Sequence, residues 1–269
     1  MSADLSEFLI ETQVTRYRPA EPERTETDWL AREEPLEIRV RGKSIAVTMR
    51  TPGHDAELAC GFLLSEGLLK SREDVIEVSH CTTGEAATLG NVVNVFLAPS
   101  VELNLDALTR HVFASSSCGL CGKASIESVH QHFPPIQSIP RFDANILQSL
   151  PEKLIPAQTA FSKTGGVHAA ALFNLSGDLL ALREDVGRHN AVDKILGWAF
   201  LNEKLPLNEN ILLVSGRASF EIMQKSLAGR IPIVAAVSAP SSLAAEFSRE
   251  SGQALIGFLR GGSFNVYSS

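Results

Sequence analysis

Two cysteines three positions apart, in Ser115-Ser116-Ser117-Cys118-Gly119-Leu120-Cys121-Gly122-Lys123, are the residues of this chain best suited to covalent chemistry. A glycine follows each thiol, so the backbone can turn tightly and present sulfur to a partner. Ile126, Val129 and Phe133 then recur at helical spacing, which predicts a helix and sets Cys121 near its N-terminus. Unpaired N–H groups at a helix start and the ammonium of Lys123 favour thiolate over thiol. Three chemistries compete for such a pair. Structural zinc needs about four ligands, and Cys60 and Cys81 form no second close pair. A dithiol redox centre of thioredoxin type usually opens a helix after the first strand of a small domain, whereas this pair lies mid-chain. A thiolate that carries sulfur as a persulfide needs one exposed, acidic thiol on a flexible arm and no metal. Spacing alone does not choose between the last two.

A second group of residues suits an anion. Three apolar runs of buried-strand type, Ile211 to Val214, Ile231 to Val237 and Ala254 to Leu259, end in Ser215-Gly216-Arg217, in Ser238-Ala239-Pro240-Ser241-Ser242 and in Arg260-Gly261-Gly262-Ser263. In open α/β sheets ligands bind beyond the carboxyl ends of the strands, where helix N-termini direct N–H groups outward. Serines, glycine turns and two arginines at one such edge fit a phosphate or pyrophosphate. Arg188 and His189, in the first turn of a predicted helix with the stripe Val192, Ile195, Leu196, Ala199, should face the same edge, unless they serve as caps paired with Asp185 or Asp193. Thr164-Gly165-Gly166-Val167-His168 adds a glycine turn with a histidine just inside a strand. Neither a Walker loop nor a GxGxxG fingerprint is present.

These residues need a frame. Leu36, Ile38 and Val40, then Gly42-Lys43, then Ile45 and Val47 predict a hairpin, followed by a helix over 54–69 with Gly67 as its stop. Cys60, off the centre of that helix's stripe, is expected to be a packing residue. Val75 to Val78 and Val92 to Leu97 predict two more strands, and Asp106 to Phe113 a short helix before the thiols. Prolines at 134, 135, 140, 151 and 156 predict a helix bounded by turns. His168 to Leu175 and Leu179 to Leu182 predict a hairpin, and the three apolar runs with helices between them predict parallel neighbours. The expected class is α/β, with mixed sheets covered by helices. The expected division is a loosely held arm over 1–28, a smaller α/β domain over 29–105 and a larger domain over 106–269.

Composition narrows the function. A net charge of -7 argues against a nucleic-acid partner, which needs clustered excess Lys and Arg. No apolar run approaches the roughly 18 residues of a membrane span, and the first residues lack a signal core, so a cytoplasmic protein is expected. Four cysteines without a secretory signal fit a reducing compartment.

Assembled, these segments closely resemble the formate dehydrogenase accessory sulfurtransferase (FdhD) family. The resemblance is carried by Glu34-Pro35-Leu36-Glu37-Ile38, Thr51-Pro52-Gly53-His54-Asp55, Ser116 to Gly122, Thr164 to Ala170, Glu184 to Lys194, Val214 to Phe220 and Ala236 to Leu243. It implies a cytidine-deaminase-like fold in the larger domain, a homodimer, and sulfur passed from a cysteine desulfurase to the molybdenum cofactor, as its bis-molybdopterin guanine dinucleotide, before insertion into formate dehydrogenase. It implies Cys118 as the persulfide-bearing residue and Cys121 as the second family thiol. It also implies cofactor contacts from Phe258, Leu259, Arg260, Gly261, Gly262 and Ser263, with GDP as a mimic and no zinc. Deamination is not expected, because a zinc deaminase needs His-x-Glu before its cysteines and this chain has His168-Ala169-Ala170 after them. A cofactor-binding assembly chaperone and a dithiol oxidoreductase remain the alternatives.

Overall fold

The computed structural model describes residues 7–84, 87, 90–101 and 129–269. Cys118, Cys121, Lys123 and the helix expected over 106–113 lie outside the described residues.

The three apolar runs form parallel strands, β9 (Asn210–Val214), β10 (Ile233–Ala236) and β11 (Ala254–Arg260), at the centre of a six-stranded sheet. Antiparallel β7 (His168–Asn174), β8 (Leu179–Asp185) and β12 (Ser263–Ser268) complete it in the order β12-β11-β10-β9-β7-β8. Both faces of the sheet are covered, which is why its central strands are continuously apolar. On one side Leu147, Leu150 and Leu154 of α2 (Ala144–Ala157), which short α3 (Thr159–Thr164) follows, pack on Phe173, Ile211 and Leu213. On the other lie α4 (Arg188–Leu201), α5 (Phe220–Ala228) and α6 (Ser242–Glu250).

Beyond those helices stands a second sheet, in the order β4-β3-β6-β5, built from β3 (Glu34–Val40), β4 (Lys43–Arg50), β5 (Val75–His80) and β6 (Val92–Leu97). Its inner residues Leu36, Ile38 and Val95 share one core with Leu58 and Leu63 of α1 (Asp55–Ser65) and with Ile195 and Leu196 of α4. The expected boundary at 105 therefore does not separate two cores. No helix among the described residues is long and apolar enough to cross a membrane.

Two expectations are corrected. The segment expected to be a loose arm forms a hairpin, β1 (Leu9–Arg16) with β2 (Arg24–Ala31), in register from Leu9↔Ala31 to Arg16↔Arg24. Its base is anchored: Leu9 is buried with Ala160 and Val167, and Phe8 lies where Gly53 has no side chain. The helix expected to stop at proline runs through Pro151. The leucine face buried on the sheet offsets a proline cost of roughly 3 kcal/mol.

The closest joint in the core is between α1 and α4. A Cβ added at Gly61 would lie 1.8 Å from the Asp193 carbonyl oxygen, and one at Gly197 would lie 1.7 Å from that of Glu57. Both glycines thus permit backbone-to-backbone contact that any side chain would break. Gly197→Ala should lower the unfolding free energy by about 1–3 kcal/mol or more. Gly166→Ala, whose new Cβ meets nothing closer than 3.6 Å, should be near neutral. Urea titrations of the two variants check this, and equal midpoints would contradict it.

Candidate anion-binding site

Parallel strands end on the same side, so β9, β10 and β11 deliver Ser215-Gly216-Arg217, Ser238 to Ser241 and the Arg260-Gly261 turn to one edge of the sheet. Antiparallel β7 begins at that edge with His168, paired to Asp185 at the end of β8, and α4 starts three residues beyond Asp185 with Arg188 and His189. The loops are laced together: Ser241 N donates to the Ala218 carbonyl at 2.9 Å, and Phe258 N to the Ser238 carbonyl at 3.1 Å.

The predicted residues divide into those available to a ligand and those already engaged. A Cβ on Gly216 would sit 3.3 Å from His168 Nδ1 and 3.8 Å from Arg188 Cδ, so the glycine lets histidine and arginine approach the strand end. The Nε of Arg188 is buried and has no hydrogen-bond partner among the described residues. A buried donor left open in this way is a place for a ligand. Arg217 is exposed, as are Arg260, Gly261, Gly262 and Ser263. Arg260 sits over the Phe258 ring at 5.7 Å. Ser215, by contrast, is structural. Its Oγ accepts from Ala169 N at 2.9 Å and its own N–H donates to the Ala169 carbonyl. Leu259 is fully buried, so its side chain belongs to the core and only its backbone borders the edge. The glycine turn after β11, with positive φ at Gly261 and Gly262, supplies no helix N-terminus.

Charge at this edge is visible in His168. Partial burial first, then Arg188, His189 and Arg217, push its imidazole below the usual histidine range, against an opposing pull from Asp185. The ring is therefore neutral at neutral pH, in a local excess of positive charge. An anion bound here would remove that opposition.

Arg188 and His189 are not paired with Asp185 or Asp193. Asp185, fully buried, takes Lys194 at 2.7 Å. Its Oδ1 also accepts from Gly187 N at 2.8 Å and Asn190 Nδ2 at 3.0 Å, and its Oδ2 from Thr51 N at 3.2 Å. Lys194 Nζ donates to the Thr51 carbonyl at 2.8 Å, while the Thr51 hydroxyl accepts from Val186 N at 3.1 Å. Asp193 takes Lys225 at 2.8 Å. His189 Nε2 meets Glu221 Oε2 at 2.9 Å and Ser219 Oγ at 3.2 Å.

Sequence reasoning assigned no role to Lys194, Lys225, Ser219 or Glu221. Only the acidic first turn of α5 carried a signal, because a carboxylate beside cationic strand ends has to be explained. Cys60 is a packing residue whose burial pushes its thiol up to about 12. Cys81 is partly exposed, and hydrogen bonds at Thr83 hold its thiol below the ordinary value.

Removing one partner of a buried pair strands the other charge. Lys194→Met should therefore cost about 3–5 kcal/mol of stability, and adding Asp185→Asn should recover part of it. Chemical denaturation of the single and double variants measures this, and additive losses would refute it.

A family model for the FdhD/NarQ family matches residues 31–269. A protein of Mycobacterium tuberculosis named sulfur carrier protein FdhD is 52% identical over 259 residues, covering 94% of each chain. A Streptomyces coelicolor protein of the same name is 52% identical over 248 residues, covering 90% of this chain and 88% of that one. The crystal structure of a Desulfotalea psychrophila protein assigned as a formate dehydrogenase accessory protein superposes with a TM-score of 0.76 at 24% identity over 97% of each chain.

Proposed function

This chain belongs to the FdhD/NarQ family, and on that premise we propose that it is a sulfur carrier serving formate dehydrogenase. It takes sulfur from a cysteine desulfurase onto Cys118 and passes it to the molybdenum cofactor, in its bis-molybdopterin guanine dinucleotide form, while that cofactor is held at the strand-end site. The protein works in the cytoplasm as a homodimer. The observation that carries the cofactor half of this reading is the gathering of His168, Arg188, His189 and Arg217 at one edge, where burial first and then its cationic neighbours hold the His168 imidazole down. Such a field suits a ligand bearing several phosphates and disfavours a neutral one. Arg260 and the Phe258 ring beside it add a guanidinium and a planar face.

The sulfur half rests on the Cys118-Gly119-Leu120-Cys121 motif and on the names of the relatives. The Cys118 thiolate attacks the outer sulfur of a persulfide on the desulfurase. A new S–S bond forms at Cys118, the old S–S bond breaks, and the desulfurase cysteine leaves as thiolate, so this first transfer consumes no external oxidant or reductant, whereas delivery of the outer sulfur to the cofactor at the sulfide level takes two electrons from a thiol reductant. Cys121 is assigned no separate step. An assembly chaperone that binds the cofactor without carrying sulfur would use the same edge, and the thiols distinguish it.

Intact-protein mass spectrometry after incubation with a cysteine desulfurase and cysteine tests the carrier. Wild type should gain about one sulfur atom, retained in Cys121→Ala and lost in Cys118→Ala. No gain in wild type would favour the chaperone. For the site, Arg217→Ala and Arg260→Ala should each weaken GDP binding by about 1.5–3 kcal/mol, the size of a charged hydrogen bond. Calorimetric titrations that match wild type would refute the placement.

A further inference from the structure

One residue at the cationic edge carries the opposite charge. Glu221 stands in the first turn of α5, and the hydrogen bond from His189 keeps its carboxyl below the usual range, despite partial burial. At 46% exposure it is no core counter-ion, unlike Asp185 and Asp193. A carboxylate here opposes any anionic ligand by simple Coulomb repulsion, unless it acts through another group. Its contacts identify that group. Glu221 Oε2 lies 2.9 Å from His189 Nε2, and Ser219 Oγ lies 3.2 Å from the same nitrogen and 3.4 Å from the same carboxylate oxygen. Both contacts run through Nε2. Nδ1, across the ring, has no partner among the described residues.

An ionised carboxylate can only accept, so the hydrogen between Glu221 and His189 resides on Nε2. We propose that Glu221 is a positioning residue for His189: it fixes the ring by its Nε2 proton, makes Nδ1 the atom offered to the ligand, and supports a second proton on the ring when an anionic oxygen binds there. This rests on reading the strand-end cluster as a phosphate site.

The other charges around the ring do not supply that support. Arg188, its neighbour on α4, and His168 from β7 share the cluster, and Arg217 reaches it through His168. Asp193, one turn on along α4, also feels His189, but it is committed to Lys225 from α5 at 2.8 Å. Asp185 at the end of β8 is committed to Lys194. Glu221 is the acceptor that remains. The pair thus converts a repulsive carboxylate into a reason for His189 to bear charge where a phosphate oxygen arrives.

The sign of one substitution tests this. GDP titrations at pH 7.0 would compare wild type, Glu221→Gln, His189→Gln and the double variant. Glu221→Gln should weaken binding by about tenfold. In the His189→Gln background the same change should leave binding unchanged or tighten it, since only repulsion is then removed. Tighter or unchanged binding of Glu221→Gln in the wild-type background would overturn the proposal. The second measurement needs no ligand: ring-nitrogen NMR of the full chain should show His189 protonated on Nε2 in wild type and this preference lost in Glu221→Gln. If GDP fails to bind wild type, the phosphate reading falls. The NMR result then decides the pair alone, and an identical ring in both proteins overturns it.

Discussion

The buried pair of Asp185 and Lys194 is the constraint on which the rest of this structure depends. A charge taken out of water is tolerated only when its partner and its remaining hydrogen bonds are all in place. Meeting that condition here requires the end of β8, the first two turns of α4 and the Thr51 backbone at the end of β4 to converge. The Thr51 backbone comes from a distant part of the chain, and β8 and β4 belong to different sheets. The start of α4 is thereby fixed relative to the edge of the six-stranded sheet. Arg188 and His189 inherit their positions from it. The glycine contact between α1 and α4 acts in the same direction, because helices that touch backbone to backbone leave little room for sliding.

The buried pairs also decide where uncompensated charge can remain. Asp185, Asp193 and Asp55 are neutralised by Lys194, Lys225 and Arg50 respectively. With those carboxylates committed, Arg188 and Arg217 make no salt bridge among the described residues, and the edge stays positive although the chain as a whole carries -7. Net charge and local field therefore point in opposite directions. The field is local and suited to a compact anion, whereas a nucleic acid would need a track of such charge along the surface.

How much of this could be read from the sequence depends on the range of the interaction responsible. Runs such as Ile211 to Val214 and Ile233 to Ala236 declare buried strands by themselves, since burial on both faces leaves no polar position. From the order strand, helix, strand, the convergence of their polar endings on one edge follows by geometry. The hairpin of β1 and β2 was hidden for the opposite reason. Both of its faces are largely exposed beyond the base, so no alternation betrays it. What anchors it is Phe8 filling the space beside Gly53 and Leu9 meeting Ala160 and Val167, contacts that exist only once the fold is formed. Pro151 misled for a related reason. Its local cost is written in the sequence, and the sheet that offsets it is not. Glu221 and His189 are likewise joined by the packing of α5 on α4 across 32 positions, so no spacing rule could pair them.

The thiols stand apart from this machinery in the chain. The described structure leaves the four-stranded sheet at Val101, whose carbonyl accepts from Arg41 at 2.6 Å, and resumes at Val129, which is buried in the shared core beside His130 stacked 5.5 Å from Phe247. The described residues on either side of 102–128 therefore meet the same core that sets α4. A carrier has two incompatible demands: its sulfur must be open to a donor protein, while its acceptor must be held still and shielded. On the function proposed above, an anion site on strand ends and helix starts, with the thiols elsewhere in the chain, would let each demand be met without compromising the other. On that reading the site draws its groups from four different elements. Groups fixed by four different elements define a position in space that no single mobile loop could keep.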